Sequence, residues 1–148
     1  MQLKFKPKRS INELLDMAIH FHGHLGSYLV VGLRLGLYGL KLLNSPGYFD
    51  LWIRSYTAQQ PPQSCMNDGL QISTGCTLGK GNISCSGEGL SQASLYATQK
   101  VITLKLNLDV EAMIAESKSE EQDEAVAAKL LEGPHDREMF VLVDEIIR

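Results

Sequence analysis

Ile11, Leu14, Leu15 and Ala18 recur at helical spacing, directly after a serine, Ser10, that has Glu13 three positions on. The pattern predicts an amphipathic helix from about Ser10 to the histidines near residue 22, opened by a capping box in which each side chain satisfies an orphan amide. A second helix is expected from about Leu25 to Leu43, ending at the turn "NSPG", residues 44 to 47. Its apolar run, "YLVVGLRLGLYGLKLL", is interrupted by Arg34 and Lys41 and falls short of the roughly 20 apolar residues of a membrane span, so it reads as a buried helix. Gly32, Gly36 and Gly39 lie within it. Glycine weakens a helix, so three of them suggest another backbone packed closely on that face.

"YFDLWIRSYTA" alternates in part and is rich in aromatic and β-branched residues, which predicts a strand from about Phe49 to Ala58. "QQPPQSC" breaks it, because two prolines cannot continue a ladder. "MNDGLQISTGCTLGKGNISC" reads as a short helix, a glycine-rich loop and a strand from about Asn82. "SLYATQKVITLKLN" reads as two strands meeting near Gln99 and Lys100. Residues 109 to 133 are helix-forming, in one piece or two, with Gly133 and Pro134 as the stop. "EMFVLVDEII" is expected to close the chain as a strand, with a helix as the alternative. The element order predicts a single α+β domain over residues 1–148, with helices packed on one face of a mostly antiparallel sheet.

Composition narrows the partners. A chain of 148 residues with 44% hydrophobic and 21% charged residues can bury an ordinary core. A net charge of −3 argues against nucleic acid, and the basic run "KFKPKR" at residues 4 to 9 reads as a solvated tail. Three cysteines, an odd number with no scaffold spacing, fit a reducing, cytoplasmic setting. The first fifteen residues lack the apolar block of a signal peptide.

The chemistry concentrates in "HFHGHLG", where His20, His22 and His24 occupy alternate positions in a chain with four histidines. If the helix continues, His20 and His24 share a face; if it stops after His20, His22 and His24 do. Either pair can serve one ion, and a polar helix end is the plainer reading. Cys65 follows the proline break at an expected helix start, where the dipole favours a thiolate, although most free cysteines are small buried hydrophobes. Cys76, between glycine turns, carries the same two readings, and Cys85 reads as structural. Asp68 can orient a ligand histidine or cap a helix, and Gln71 lies one turn further on. "TGCTLGKGN" lacks the spacing of a phosphate-binding P-loop, yet its amides and Lys80 can face a small ligand; a plain tight turn is the alternative. Arg34 in an apolar helix is expected to find an internal carboxylate.

Together, "FHGHLGSYLVVGLRLG" and "CMNDGLQISTGCTLGKGNI" resemble the two signatures of the FmdE family of formylmethanofuran dehydrogenase subunits, over roughly residues 10 to 108. The first family motif runs approximately His-Gly-His-x-Cys-Pro-Gly with a following Gly-x-Arg. Here His22, Gly23, His24, Gly32 and Arg34 match it, while Gly26 and Ser27 stand at the cysteine and proline. In the second, Asp68, Gln71, Gly75, Cys76, Thr77, Gly79, Lys80, Gly81 and Asn82 match. The resemblance implies an α+β fold, a metal in the shared domain and a homodimer. Cys65 is expected to supply the sulfur that position 26 lacks. No cysteine follows Cys85, so the zinc ribbon appended in larger members is not expected.

The expected ligands are therefore His22, His24, Cys65 and Cys76, holding zinc or another divalent transition metal. His20, Asp68, Gln71, Thr77 and Lys80 are expected around them or around a ligand pocket. Fewer than four protein ligands would leave a position open to a substrate. Three functions stay open: a metal-binding protein with such a position, tied to molybdenum-enzyme or one-carbon metabolism; an accessory subunit or chaperone of a molybdenum enzyme; and a metal-free module for a small pterin-like ligand. The dehydrogenase activity itself is not carried over, because no pterin or iron–sulfur pattern is present.

Overall fold

The computed structural model describes residues 2–8 and 10–148, so Met1 and Arg9 of the basic run lie outside the described residues. The first helix, α1, spans Ile11–His22 and is opened by the expected Ser10/Glu13 capping box. It ends because Gly23 turns left-handed at φ +111°, a conformation that a side chain resists. Helix α2 spans Ser27–Leu43. It is apolar on two sides because it is buried on two sides. Val30, Val31, Leu35 and Leu40 join the main core with Leu95, Ile102, Leu104 and Leu106 of the sheet. Leu29 and Leu33 pack in a second cluster with Leu14 and Ala18 of α1. Each fully buried leucine contributes about 2 kcal/mol by removal from water, which makes this helix the centre of the fold.

The sheet has the order β2-β1-β3-β4-β5. Strands β1 (Trp52–Ser55) and β2 (Ile83–Cys85) pair in parallel; β3 (Gln92–Tyr96), β4 (Lys100–Leu106) and β5 (Phe140–Ile147) complete it in antiparallel fashion. The fold is thus α+β with a mostly antiparallel sheet, as the element order predicts. A parallel pair needs a crossover, and this one runs through α3, Met66–Thr74. The crossover sets the first turn of α3 beyond the carboxyl end of β1, the side of a β-α-β unit where ligands commonly sit.

The long helical segment does divide, into α4 (Leu108–Ala115) and α5 (Glu120–Glu132), with Ser119 capping the second through the Gln122 amide. A four-residue helix, α6 (Asp136–Met139), then precedes β5, which is a strand. The strand expected from Phe49 is shorter than predicted: residues 48 to 50 form a 3-10 turn, and the ladder holds only Trp52–Ser55.

Of the three glycines of α2, only Gly32 meets another backbone as expected; Gly36 faces the Ser73 and Thr74 side chains and Gly39 the Leu95 side chain of the sheet. Helices α2 and α3 cross at Gly32 and Gly69, where a Cβ on Gly32 would lie 2.0 Å from the Met66 carbonyl oxygen and one on Gly69 2.2 Å from that of Leu29. Arg34, nearly buried, pairs with Asp136 at 3.0 Å and donates to the Leu130 carbonyl at 3.0 Å, which ties α2 to the end of α5.

Strand β5 is the outer edge of the sheet. Its Val141, Leu142, Val143, Ile146 and Ile147 are between 44% and 71% exposed, an unusual density of apolar side chains on an unpaired edge. Among the described residues, no helix is long and apolar enough to cross a membrane.

Candidate functional site

The end of α1 and the start of α3 bring the two sequence motifs together. Because α1 stops at His22, the His20 ring stays with its own helix. It is exposed, and its Nδ1 lies 2.9 Å from the Asp16 carbonyl oxygen. The Gly23 turn instead sets His24 beside His22, with ring centroids 4.8 Å apart. Of the two pairings open in the sequence, the one between His22 and His24 is realised.

His22 is the most constrained group here. Its side chain is 10% exposed, and its Nδ1 donates to Asp68 Oδ2 at 2.6 Å, across 46 residues of sequence. A carboxylate accepts and cannot donate, so Asp68 fixes the proton on Nδ1 and leaves a lone pair on Nε2 of the neutral ring. That Nε2 is buried and has no hydrogen-bond partner among the described residues. A buried acceptor left unpaired costs about 1–3 kcal/mol, a cost that a ligand on Nε2 would remove. The carboxylate–histidine arrangement is the one that orients imidazoles at metals.

A cavity of about 330 Å³ adjoins the pair, lined among others by His22, His24, Gly26, Tyr28, Cys65 and Asp123. Cys65 reaches it because the "PPQSC" break winds into a 3-10 turn, Gln63–Cys65, that runs straight into α3. Burial, then the charges of Asp68 and Asp123, push the Cys65 thiol above its ordinary pKa. Without a cation the sulfur holds its proton at neutral pH, and a divalent ion would have to displace it. Tyr28 donates to Glu111 at 3.2 Å, and burial, followed by the Glu111 charge, raises its phenol to about 12. The donor set of two imidazoles and a thiol fits zinc or a similar transition ion, with the unpaired His22 Nε2 as the atom that most needs one. Among the described residues, no three His, Cys, Asp or Glu side chains stand close enough together to hold an ion, so these donors could share one only after side chains rotate.

The rest of the expected set lies elsewhere. Cys76 follows the C-terminal end of α3; nine residues at about 1.5 Å each separate it from the cavity. It is fully buried in the main core, with its sulfur 3.5 Å from the Leu51 carbonyl oxygen. The structure therefore does not bring Cys76 to the two histidines; its small, weakly polar side chain suits a packed position. Thr77 and Lys80 belong to the same remote loop. The Thr77 amide donates to Asn82 Oδ1 at 2.9 Å, and Lys80 Nζ lies 5.8 Å over the Tyr48 ring and 5.6 Å over that of Phe49. Gln71 accepts from the Leu78 amide at 3.1 Å and so braces that loop, away from Asp68. The loop "TGCTLGKGN" is held by these contacts and does not line the cavity of the two histidines. Two residues of the cavity wall, Tyr28 near the start of α2 and Asp123 in the first turn of α5, escaped the sequence reading; for Asp123 nothing local ties that turn to the histidines.

Burial holds the Cys76 thiol at about 11 against an ordinary 9.0. The folded state thus keeps this proton more tightly than the unfolded chain does. Its contribution to stability is complete below pH 9 and is lost as the pH rises to about 11, an expected fall of about 2–3 kcal/mol. Urea denaturation across that range should show the fall, and the Cys76→Ala variant should show a flatter profile. An identical slope in the variant would assign the effect to other groups.

A family model described as "FmdE, Molybdenum formylmethanofuran dehydrogenase operon" matches residues 21–144. The chain belongs to the FmdE family. Its fold is similar to a crystal structure of a tungsten formylmethanofuran dehydrogenase FmdE-like protein from Syntrophus aciditrophicus, with a TM-score of 0.61 and 19% identity, covering 93% of this chain and 72% of that one. A curated relative, "Probable S-adenosyl-L-methionine-binding protein" of Archaeoglobus fulgidus, is 28% identical over 78 residues, 52% of this chain. The aligned part is 21% of that relative's length. Within FmdE the matched region takes in His22, His24, Cys65 and Asp123 alike, so the whole cavity wall lies inside the family domain.

Proposed function

We propose that this FmdE protein binds a divalent transition metal, zinc being the best fit, through His22, His24 and Cys65, and presents it to a small molecule entering the cavity. The supporting observation is His22: one nitrogen anchored on Asp68, the other buried and unpaired, in the wall of a cavity that His24 and Cys65 also line. When bound, the ion would supply Lewis acidity toward a carbonyl or a water. The chain's own contribution is positional. Asp68 holds the His22 ring and its tautomer, and the Gly23 turn presents His24. The family description, which names a molybdenum enzyme operon, supports a role beside such an enzyme or in one-carbon metabolism.

Elemental analysis of the purified protein tests this reading. About one zinc (or similar ion) per chain is expected, lost on dialysis against chelator at low pH. Metal-free protein that takes up neither zinc nor cobalt would leave the cavity as a site for an organic ligand alone.

We further read the protein as a homodimer joined along β5, because its unpaired edge and exposed apolar side chains match what a second copy would cover. Sedimentation should give twice the mass of one chain, and Ile146→Lys should shift it toward monomer. A monomeric wild type at micromolar concentration would dismiss the dimer.

A further inference from the structure

Position 26, where the family motif carries cysteine, is glycine in this chain. A Cβ built on Gly26 would lie 3.1 Å from His24 Cε1, 3.6 Å from His24 Nδ1 and 3.3 Å from Asp123 Oδ2. The space that a cysteine side chain would enter is therefore flanked by an imidazole on one side and a carboxylate on the other. That carboxylate comes from α5, 97 residues downstream, and lines the same cavity as His22, His24 and Cys65.

Asp123 is held in place. Its Oδ2 accepts from the Ser27 amide at 3.2 Å, and its Oδ1 accepts from the Ser27 hydroxyl. The Ser27 hydroxyl also lies 3.2 Å from the Asp123 carbonyl oxygen. The plain reading is a cap supplied in trans: Gly26 is the N-cap of α2 and has no side chain of its own, so a carboxylate from α5 satisfies the first amide of the helix. That reading accounts for one oxygen's contact with the amide. It leaves unexplained why the carboxylate also faces His24 across the empty place of a side chain, in a cavity whose His22 Nε2 is buried and unpartnered.

We propose that Asp123 is a metal ligand, an oxygen donor from α5 standing in for the first-motif thiolate that Gly26 cannot provide. The inference rests on the metal reading given above and goes beyond it. The resulting set is two imidazoles, one thiolate and one carboxylate, harder than a thiolate-rich site and shifted toward zinc, cobalt(II) and iron(II) over copper(I). Ser27 would compete with an ion for both carboxylate oxygens, which would keep that position exchangeable.

Cobalt(II) titration of the full chain, followed by its visible and near-ultraviolet absorption, tests the assignment. The wild type should bind one cobalt with a tetrahedral or five-coordinate spectrum. Asp123→Asn keeps an acceptor for Ser27 and should weaken binding at least tenfold while remaining folded. Gly26→Cys in that background should recover the affinity and add sulfur-to-cobalt charge-transfer intensity. Gly26→Cys alone, for which His24 and Asp123 need yield only tenths of an ångström, should gain the same intensity, and it keeps the test valid if Asp123→Asn does not fold. Unchanged cobalt affinity in folded Asp123→Asn would reduce Asp123 to a cap, and so would a Gly26→Cys thiolate that never contacts the metal. No cobalt binding by the wild type would overturn the metal reading itself, a result distinct from either.

Discussion

Gly32→Ala is expected to lower the melting temperature by about 6 °C, the largest loss foreseen for a single methyl group in this protein. The added Cβ would lie 2.0 Å from the Met66 carbonyl oxygen, 2.9 Å from its carbonyl carbon and 3.0 Å from Gly69 Cα. All three are backbone atoms, so no rotamer change can relieve the overlap, and α2 and α3 must move apart. Overpacking of this kind costs about 3 kcal/mol, against which alanine's better helix propensity returns only about 1 kcal/mol. Gly36→Ala is the control. Its Cβ would meet the Ser73 hydroxyl at 2.0 Å and Thr74 Cγ2 at 2.8 Å, side-chain atoms that can turn away. Its loss should be smaller, about 1 kcal/mol, by the same accounting. Equal melting temperatures for the two variants would mean that the helices are not held at backbone contact. Gly32→Ala should also weaken metal uptake, since the displaced α3 carries Asp68 and continues directly from Cys65.

His22→Ala should abolish metal binding, a fall of at least a hundredfold in affinity. No other side chain at the cavity combines burial, a fixed tautomer and an unshared lone pair. Two further substitutions give the order of effects. Cys65→Ser should come close to His22→Ala, because a hydroxyl is a poor substitute for a thiolate at zinc. Asp68→Asn should lose about 10- to 100-fold, the usual cost of removing the carboxylate behind a ligand histidine. Cys85→Ser should retain its metal; that sulfur lies 3.3 Å from the Thr57 carbonyl oxygen and does not line the cavity. Metal-to-protein ratios after gel filtration read the series. Equal retention in the Cys65 and Cys85 variants would retire Cys65 as a ligand, and a metal-replete His22→Ala would retire the site.

Much of the fold was legible along the chain because its signals are local. A capping box needs only Ser10 and Glu13, and the left-handed turn that ends α1 needs only Gly23. Close helix contact was readable from Gly32 because glycine in a helix has few other physical reasons. The division into α4 and α5 follows from the polar stretch around Ser117 and Ser119. The 3-10 turn before β1 and the four-residue α6 were missed, since such short elements are set by their neighbours more than by any period.

The candidate site divides along the same line. The sequence by itself determined which residues have the chemistry: imidazoles at 22 and 24, a thiol at 65, a carboxylate at 68, and the family likeness that joins them. Tertiary structure alone decided which of them meet. It removed His20, because a helix that stops at His22 leaves that ring on an exposed face, and it sent Cys76 with Thr77 and Lys80 to the opposite end of α3. It also delivered Asp123 to the open side of Gly26. Proximity across so many residues is fixed by how α2, α3 and α5 pack on one another, and no local spacing in the chain records that packing.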